Sequence, residues 1–200
     1  MGRLQDEGKV RAIGVSNYDA VLLERCESVR HVESLQPPLS LLSRDAAATV
    51  IPWCAAHETG VIVYSPMASG ILTDSFSRAR IAAMAATEWR RRADHNKEPA
   101  LSANLALRDA LRPIAARHHT TVSAVAVAWT LAWPGVTGAV VGARSPAQVD
   151  SWLPAHTLAL STDDLAEIAA AVEQTGSGSG PTVPGRRRSV SSRSKTLDRP

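Results

Sequence analysis

The stretch GVTGAVVGARSPAQVD, residues 135–150, decides the fold class of this chain. It begins with a short apolar run over residues 136–141, which predicts a buried strand. Gly142 ends the run, and Ser145-Pro146 opens a helix, because proline is favoured at the first helical position. A strand that leads directly into a helix is the repeating unit of a parallel α/β sheet.

The same arrangement occurs upstream. Strands are predicted over residues 9–15, 32–35 and 61–64. Helices are predicted over residues 19–29, 45–57, 109–118, 122–133 and 162–173. A polar insertion over residues 74–99 is expected to be a mobile loop with some helix, and its triple arginine, 90–92, a solvated helix face rather than a phosphate clamp. Four strand–helix units predict one parallel sheet with both faces covered.

The composition limits the function classes. The chain has 200 residues, one Phe, two Tyr and five Trp, too few aromatics for a surface that stacks nucleobases. No apolar run approaches the roughly 18 residues needed to cross a bilayer, and the N-terminus lacks the apolar core of a signal peptide. Cys26 and Cys54 have no metal-ligand spacing. We therefore predict a cytoplasmic protein with reduced thiols and no bound metal.

The positive net charge is concentrated at the C-terminus. Residues 177–200 carry six basic side chains and one acidic, so the other 176 residues carry −2 of the total charge of +3. Rich in Ser, Gly, Pro and Arg, this stretch is predicted to be a disordered tail that follows a single domain over residues 1–176. The tail either is simply solvated or contacts a phosphate-rich partner. The negative body argues against nucleic acid.

Polar residues follow each predicted strand, in the sequences GVSN, LQPP, YSPM and VGAR. The carboxyl ends of parallel strands meet at one edge, where ligands bind. Ser16, Asn17 and Gln36 could hold an amide-bearing ring, and Tyr64 could stack on it. Each also has a structural interpretation: a strand-to-helix turn for Ser16 and Asn17, and half-buried core for Tyr64.

Other strand-end residues suit a phosphate-bearing ligand. Gly70 and Gly142 allow the backbone to approach a ligand closely. Arg144 offers a planar fork for a phosphate, although a lone arginine is most often surface charge. The helix that begins after Ser145 would point its N-terminus at the same place.

Four segments, GKVRAIGVSNY, SLQPPLSLLSR, GVIVYSPMASGILT and GVTGAVVGARSPAQVD, in this order and spacing closely resemble the aldo-keto reductase family over residues 4–175. The resemblance implies a TIM-type (β/α)8 barrel and reduction of aldehydes and ketones with NADPH. It also implies that Ser16, Asn17 and Gln36 hold the nicotinamide carboxamide and that Tyr64 stacks on the ring. By the same resemblance, the pyrophosphate lies along Ser65, Met67, Gly70 and Leu72, and the adenosine end lies against Gly142, Arg144 and Gln148, with Arg144 on the 2′-phosphate.

The sequence also departs from the family. Asp74-Ser75 stand where members often carry Gly-Lys or Gly-Arg, and Trp152 stands where many carry Asn. A whole barrel takes about 250 residues, and the segments present resemble its strands five to eight. The catalytic Asp, Tyr, Lys and His of the family belong to the other half, so no catalytic residue is assigned here.

Three interpretations remain open. In the first, the chain is a truncated copy of an ordinary NADPH-dependent reductase, inactive alone, which acts on a small carbonyl substrate only when the missing half is supplied. In the second, it is a non-catalytic half-barrel that binds NADP(H) or pairs with another chain, and its exposed barrel edges favour self-association. In the third, the basic tail defines an adaptor for nucleic acid or a membrane surface.

Overall fold

A four-stranded parallel sheet organises the protein, of which a computed structural model describes residues 1–185. The strands are β1 (Gly14–Ser16), β2 (Ser34–Gln36), β3 (Gly60–Tyr64) and β4 (Val136–Val140). They pair in chain order, β1-β2-β3-β4, each parallel to the next. The predicted parallel α/β sheet is confirmed.

Eleven helices accompany the sheet in the described residues. They are α1 (Gly2–Asp6), α2 (Ala20–Glu27), α3 (Asp45–Ala48), α4 (Val50–Ala56), α5 (Arg78–Ala82), α6 (Trp89–Arg92), α7 (Ala100–Ala110), α8 (Arg112–Arg117), α9 (Val122–Leu131), α10 (Pro146–Trp152) and α11 (Thr162–Thr175). Short 3₁₀ segments cover Ala68–Gly70, Asp94–Asn96 and Leu153–His156. Within residues 1–185, no helix is both long and apolar enough to span a membrane.

Two predicted elements differ from the structure because of local bonding. The strand expected over residues 9–15 begins only at Gly14, since Lys9 N and Val10 N donate to the Leu4 carbonyl at the end of α1. The helix expected over residues 45–57 is divided into α3 and α4. Pro52 has no N–H to donate to the preceding turn, which favours a break at that point.

The sheet has one buried face and one open face. On β3, Val61 and Val63 are fully buried under the helices, whereas Ile62 between them is 38% exposed. Val140 of β4 is 49% exposed, and Ser16 and Gln36 are exposed at the ends of β1 and β2. The expectation that both faces are covered is therefore wrong for the described residues, because the helices pack on one side only.

The core lies between the buried face and the helices. Helix α9 is its centre, with residues 122–130 all buried. The Trp129 and Trp133 rings meet edge to face with their centroids 5.3 Å apart. Helices α4, α8 and α11 contribute Ile51, Ile114 and Ile168 to the same cluster. This packing fixes the carboxyl ends of β3 and β4, where the candidate site lies.

The insertion over residues 74–99 is a packed structure rather than an open loop. Phe76 and Ile81 are buried in a second cluster with Ile71 and with Leu101 of α7. Helix α7 was not predicted: helix was expected only from residue 109. Within the triple arginine, Arg91 and Arg92 are exposed as expected.

The start of the C-terminal tail also differs from the prediction. The buried Arg44 side chain donates to the carbonyls of Leu41, Ser177 and Gly180, so residues 177–180 pack onto the loop before α3. All six basic side chains of the predicted tail fall within 186–200, outside the described residues. Their disorder and their partners remain predictions.

Candidate functional site

A cavity of about 800 Å³ opens at the carboxyl ends of β3 and β4. Most of the site residues predicted from the sequence line it. They are Tyr64, Ser65, Met67, Gly70, Gly142, Arg144 and Gln148. Leu72 does not, because its side chain is fully buried in the main core cluster.

The loop after β3 forms one wall and has an unusual backbone. Ser65, Ala68 and Ser69 all adopt positive φ, at 57°, 48° and 57°, and Gly70 follows at 101°. Left-handed conformations cost a residue with a Cβ atom about 1–2 kcal/mol. Such a concentration of strain at a strand end is typical of a functional loop, where it holds backbone groups towards a ligand.

Residues predicted to hold the amide ring lie side by side at the ends of β1 and β2. The Ser16 hydroxyl donates to the Gln36 carbonyl at 3.0 Å. Asn17 has a φ of 59°, and its Oδ1 accepts a 3.0 Å hydrogen bond from the Tyr64 hydroxyl. Tyr64 thus joins this group to the large cavity. Ser16 and Gln36 line a separate cavity of about 220 Å³ on the open face.

The loop after β4 forms the opposite wall. The Gln148 Oε1 atom accepts a hydrogen bond from the Arg144 backbone N–H at 2.7 Å, which fixes the loop below the arginine. The Arg144 side chain is exposed, and no carboxylate lies within 4.0 Å of it among residues 1–185. A Cβ atom added at Gly142 would meet nothing within 4 Å, so this glycine faces open space.

The insertion supplies the remaining wall, which sequence reasoning missed. Arg80, Met84, Trp89 and Arg90 line the cavity, and Trp89 is 58% exposed at its border. A polar composition had indicated solvated residues, and only the packing of the insertion onto α7 places these side chains here. No local sequence signal could have found them.

Arg90, unlike its two neighbours, is half-buried in an ion pair with Glu88. Two 2.9 Å hydrogen bonds join its guanidinium to both carboxylate oxygens. The hydrogen bond from Arg90 is the largest cause that lowers the pKa of Glu88, and the charge of Arg144 lowers it further. Glu88 is thus paired with Arg90, and Arg144 forms no ion pair within 4.0 Å among residues 1–185.

Asp74 is the acidic residue of the cavity lining, but its carboxylate contacts protein groups outside the cavity. Its Oδ2 accepts a 3.1 Å hydrogen bond from Val122 N at the start of α9, and its Oδ1 lies 3.5 Å from the Arg112 guanidinium. The departure at Asp74 is therefore structural, since it ties the insertion to α9. The cavity retains an excess of positive charge.

These donors fit a nicotinamide dinucleotide. Arginines without a carboxylate partner suit phosphates, hydroxyls and amides suit ribose and carboxamide groups, and the two glycines leave room for close approach. At Gly70, as at Gly142, an added Cβ would meet nothing within 4 Å. Trp152 contributes an apolar wall in place of an amide. No group of three or more His, Cys, Asp or Glu residues suited to a metal ion occurs in residues 1–185.

Fold and site together define an α/β protein with a basic ligand cavity at the carboxyl edge of a parallel sheet. More specifically, the chain belongs to the aldo/keto reductase family, whose model matches residues 1–173. The resemblance found in the sequence is confirmed.

Among curated relatives, an aldo-keto reductase from Bacillus subtilis is 27% identical over 176 residues, which cover 88% of this chain and 53% of the relative. An NADH-specific methylglyoxal reductase from Escherichia coli is 29% identical over 179 residues, covering 87% of this chain and 53% of that protein. The chain thus spans about half the length of these relatives.

Solved structures show the same relation. A glycerol dehydrogenase from Gluconobacter oxydans superposes with a TM-score of 0.81 at 25% identity, covering 93% of this chain and 55% of that one. A thermostable aldo-keto reductase superposes with a TM-score of 0.59 at 22% identity, covering 86% and 52%. The fold is therefore that of aldo-keto reductase structures, shared over about half their length.

Proposed function

We propose that this chain is the cofactor-binding part of an oxidoreductase that reduces aldehydes or ketones to alcohols, with NADP(H) as the hydride carrier. The observation that carries the proposal is the cavity at the ends of β3 and β4, where Arg144 has no carboxylate partner among the described residues. Family membership supports nicotinamide chemistry. The NADH-specific relative makes the choice between NADPH and NADH a point to test.

Each predicted residue has a role in this proposal. Ser16, Asn17 and Gln36 orient the carboxamide, and Tyr64 packs against the ring. Ser65, Met67, Gly70 and Leu72 form the loop along the pyrophosphate, Leu72 through its backbone because its side chain is buried. Gly142, Arg144 and Gln148 form the adenosine end, where Arg144 binds the 2′-phosphate and Gln148 holds the Arg144 backbone. The bound dinucleotide supplies the hydride.

The proton must come from elsewhere, and we propose that this chain is inactive alone. In the described residues, the Tyr64 hydroxyl is bonded to Asn17, and the two lysines, Lys9 and Lys97, pair with Glu7 and Asp94. No Tyr–Lys pair that could donate a proton to a carbonyl oxygen is formed there.

The open sheet face supports a partial barrel. We propose that residues 1–176 correspond to strands five to eight of the (β/α)8 barrel and that the open face, with Ile62 and Val140, is part of its interior. Parallel strands are normally covered on both faces, and further strands would cover this one. The cytoplasmic location predicted from the free cysteines, Cys26 and Cys54, belongs to the same proposal.

A second candidate function is a non-catalytic half-barrel that binds NADP(H) or pairs with another chain. The exposed Ile62 and Val140 on an uncovered sheet face favour it, since an apolar parallel sheet face tends to associate. Unlike the first proposal, it predicts no reductase activity even when the missing half of the barrel is supplied.

Two measurements on the 200-residue chain test these proposals. Titration with NADPH, followed by quenching of tryptophan fluorescence, is expected to saturate because Trp89 and Trp152 line the cavity. Reduction of 4-nitrobenzaldehyde should be absent for the chain alone and present when it is joined to the first half of the Bacillus subtilis relative. If the fused protein folds and binds NADPH but does not turn over the aldehyde, the second function is favoured. If neither protein binds NADPH, the cofactor site is refuted for both functions.

A further inference from the structure

Two adjacent residues hold a short segment that follows α11. Residues 177–180, here called the C-terminal strap, lie along the loop that joins β2 to α3. The buried Arg44 side chain donates to two strap carbonyls at 3.0 and 3.2 Å, and its backbone N–H donates to the Ser179 carbonyl at 2.9 Å. The Ser179 hydroxyl donates to the Asp45 carboxylate at 2.9 Å. Because these hydrogen bonds converge on one place, we expect the strap to dock and release as a unit.

The strap contacts this loop through its backbone. Gly178 adopts a φ of 65°, and a Cβ atom there would clash with the Leu42 carbonyl oxygen. A Cβ atom at Gly180 would clash with the backbone of Arg44. Leu42 in turn packs against both hydrophobic clusters, the main core and the cluster of the insertion. The strap therefore lies against a part of the loop that contacts the core and the insertion, and a side chain at either glycine is incompatible with this contact.

The beginning of the same loop is hydrogen-bonded to Tyr64. The Tyr64 N–H donates to the Pro37 carbonyl at 3.1 Å, and the Leu39 N–H donates to the Tyr64 carbonyl at 3.2 Å. Leu39 and Leu41 are fully buried, which fixes the loop between its two ends. The Arg44 guanidinium donates to the Leu41 carbonyl as well as to the strap. One buried side chain thus joins the strap to the loop segment that pairs with Tyr64.

We propose that the C-terminal strap positions Tyr64: docked through Arg44, it fixes the loop after β2, and the loop fixes the backbone of Tyr64 at the edge of the cavity. The inference rests on the proposed cofactor and deepens it, because Tyr64 is the residue proposed to pack against the nicotinamide ring. The adenosine end, which lies against the loop after β4, does not depend on the strap. Affinity for the nicotinamide end is therefore set in part by a segment outside the cavity lining.

The test compares Gly178→Ala with the matched control Gly176→Ala. The two glycines have nearly the same φ, 65° and 64°, but a Cβ atom at Gly176 meets nothing within 4 Å. The pair therefore separates loss of strap docking from backbone strain. Calorimetric titration of the full chain should show about 3- to 10-fold weaker NADPH binding for Gly178→Ala than for Gly176→Ala, the loss expected for a misplaced aromatic ring. Binding of adenosine 2′,5′-bisphosphate, which lacks the nicotinamide, should differ by less than about twofold.

Two further measurements show whether the effect passes through Tyr64. Amide hydrogen exchange of Tyr64 and Leu39, measured without ligand, should be faster in Gly178→Ala than in Gly176→Ala, because their hydrogen bonds lose the support of the fixed loop. In a Tyr64→Leu background, Gly178→Ala should cause no further loss of NADPH affinity, since the side chain through which it acts is already absent.

Equal NADPH affinities of the two glycine variants would overturn the inference. Equal losses for NADPH and adenosine 2′,5′-bisphosphate would also overturn it, as would additive effects of Gly178→Ala and Tyr64→Leu. Arg144-dependent NADPH binding alongside any of these results would leave the proposed function in place. Faster exchange at Tyr64 in Gly178→Ala, in a chain that binds neither NADPH nor NADH, would uphold the coupling of the strap to Tyr64 and refute the proposed function instead.

Discussion

Replacing Arg144 by methionine is expected to separate the two nicotinamide cofactors. The side chain is exposed and has no carboxylate partner in the described part of the chain, so its removal leaves no acid unpaired there. The Gln148 side chain binds the Arg144 backbone N–H, so the loop keeps its support in the variant. The substitution is therefore expected to change ligand affinity without changing the conformation of the loop after β4.

The magnitude follows from the type of contact. A hydrogen bond to a charged group contributes about 1.5–3 kcal/mol, which corresponds to roughly 10- to 150-fold in the dissociation constant at about 1.4 kcal/mol per decade. Arg144→Met should weaken NADPH binding by this factor. Because NADH lacks the 2′-phosphate, its affinity should change by less than about threefold.

Fluorescence titration of the full chain with each cofactor measures both values, since two cavity tryptophans, Trp89 and Trp152, report on occupancy. Arg92→Met is the control, because Arg92 is an exposed arginine of the insertion that does not line the cavity. Equal losses for NADPH and NADH would refute the role given to Arg144. An unchanged NADPH affinity would do so as well.

Three further perturbations test the site and its support. Gly142→Val should lower NADPH affinity by about tenfold, or about 1.4 kcal/mol, because the added side chain enters the cavity. The urea midpoint should not shift, since a Cβ there meets nothing within 4 Å. Gly138→Val, also in open space but outside the cavity lining, should leave binding unchanged in the same titration. Arg44→Leu should reduce the free energy of unfolding in urea by about 2–4 kcal/mol, because three backbone carbonyls lose a buried donor. It should also speed proteolysis at residues 177–180, and an unchanged digestion rate would contradict the anchoring of this segment by Arg44. Burial alone raises the pKa of Asp164, but hydrogen bonds from the Ser161 backbone and neighbouring side chains outweigh it and lower the pKa well below its usual value. The contribution of the ionised Asp164 carboxylate to the free energy of unfolding is therefore complete above about pH 5. It is lost progressively as the pH falls below the unfolded pKa of about 3.9. Asp164→Asn should flatten the dependence of urea stability between pH 5 and pH 3, and an unaltered slope would contradict this assignment.

The sequence predicted strands well where local signals were complete. The run over residues 61–64 has a glycine before it and Ser65-Pro66 after it, and β3 occupies Gly60–Tyr64. The run over residues 9–15 alternates just as convincingly, yet most of it is not strand. The difference lies in local hydrogen bonding: the Leu4 carbonyl of α1 accepts from the backbone N–H groups of Lys9 and Val10, and an alternation pattern does not reveal that competition.

The residues of the candidate site were likewise predictable from the sequence only in part. Residues directly after β3 and β4 could be placed together from the sequence, because parallel strands end at one edge. Arg80 and Trp89 could not, since they reach the cavity only because Phe76 and Ile81 bury against α7. Phe76 and Ile81 stand among polar residues and alanines in the insertion and carry too little periodicity to predict that contact.

The geometry of Tyr64 explains why binding, rather than turnover, discriminates between the proposals. Its phenol proton is directed at Asn17 Oδ1, 3.0 Å away, and the lysines of the described residues pair with Glu7 and Asp94. Among residues 1–185, no lysine or arginine is hydrogen-bonded to the Tyr64 hydroxyl, so no positioned cation assists it as a proton donor there. Lack of turnover by the chain alone is compatible with both functions, whereas a cofactor affinity that depends on Arg144 requires the cavity to be the binding site.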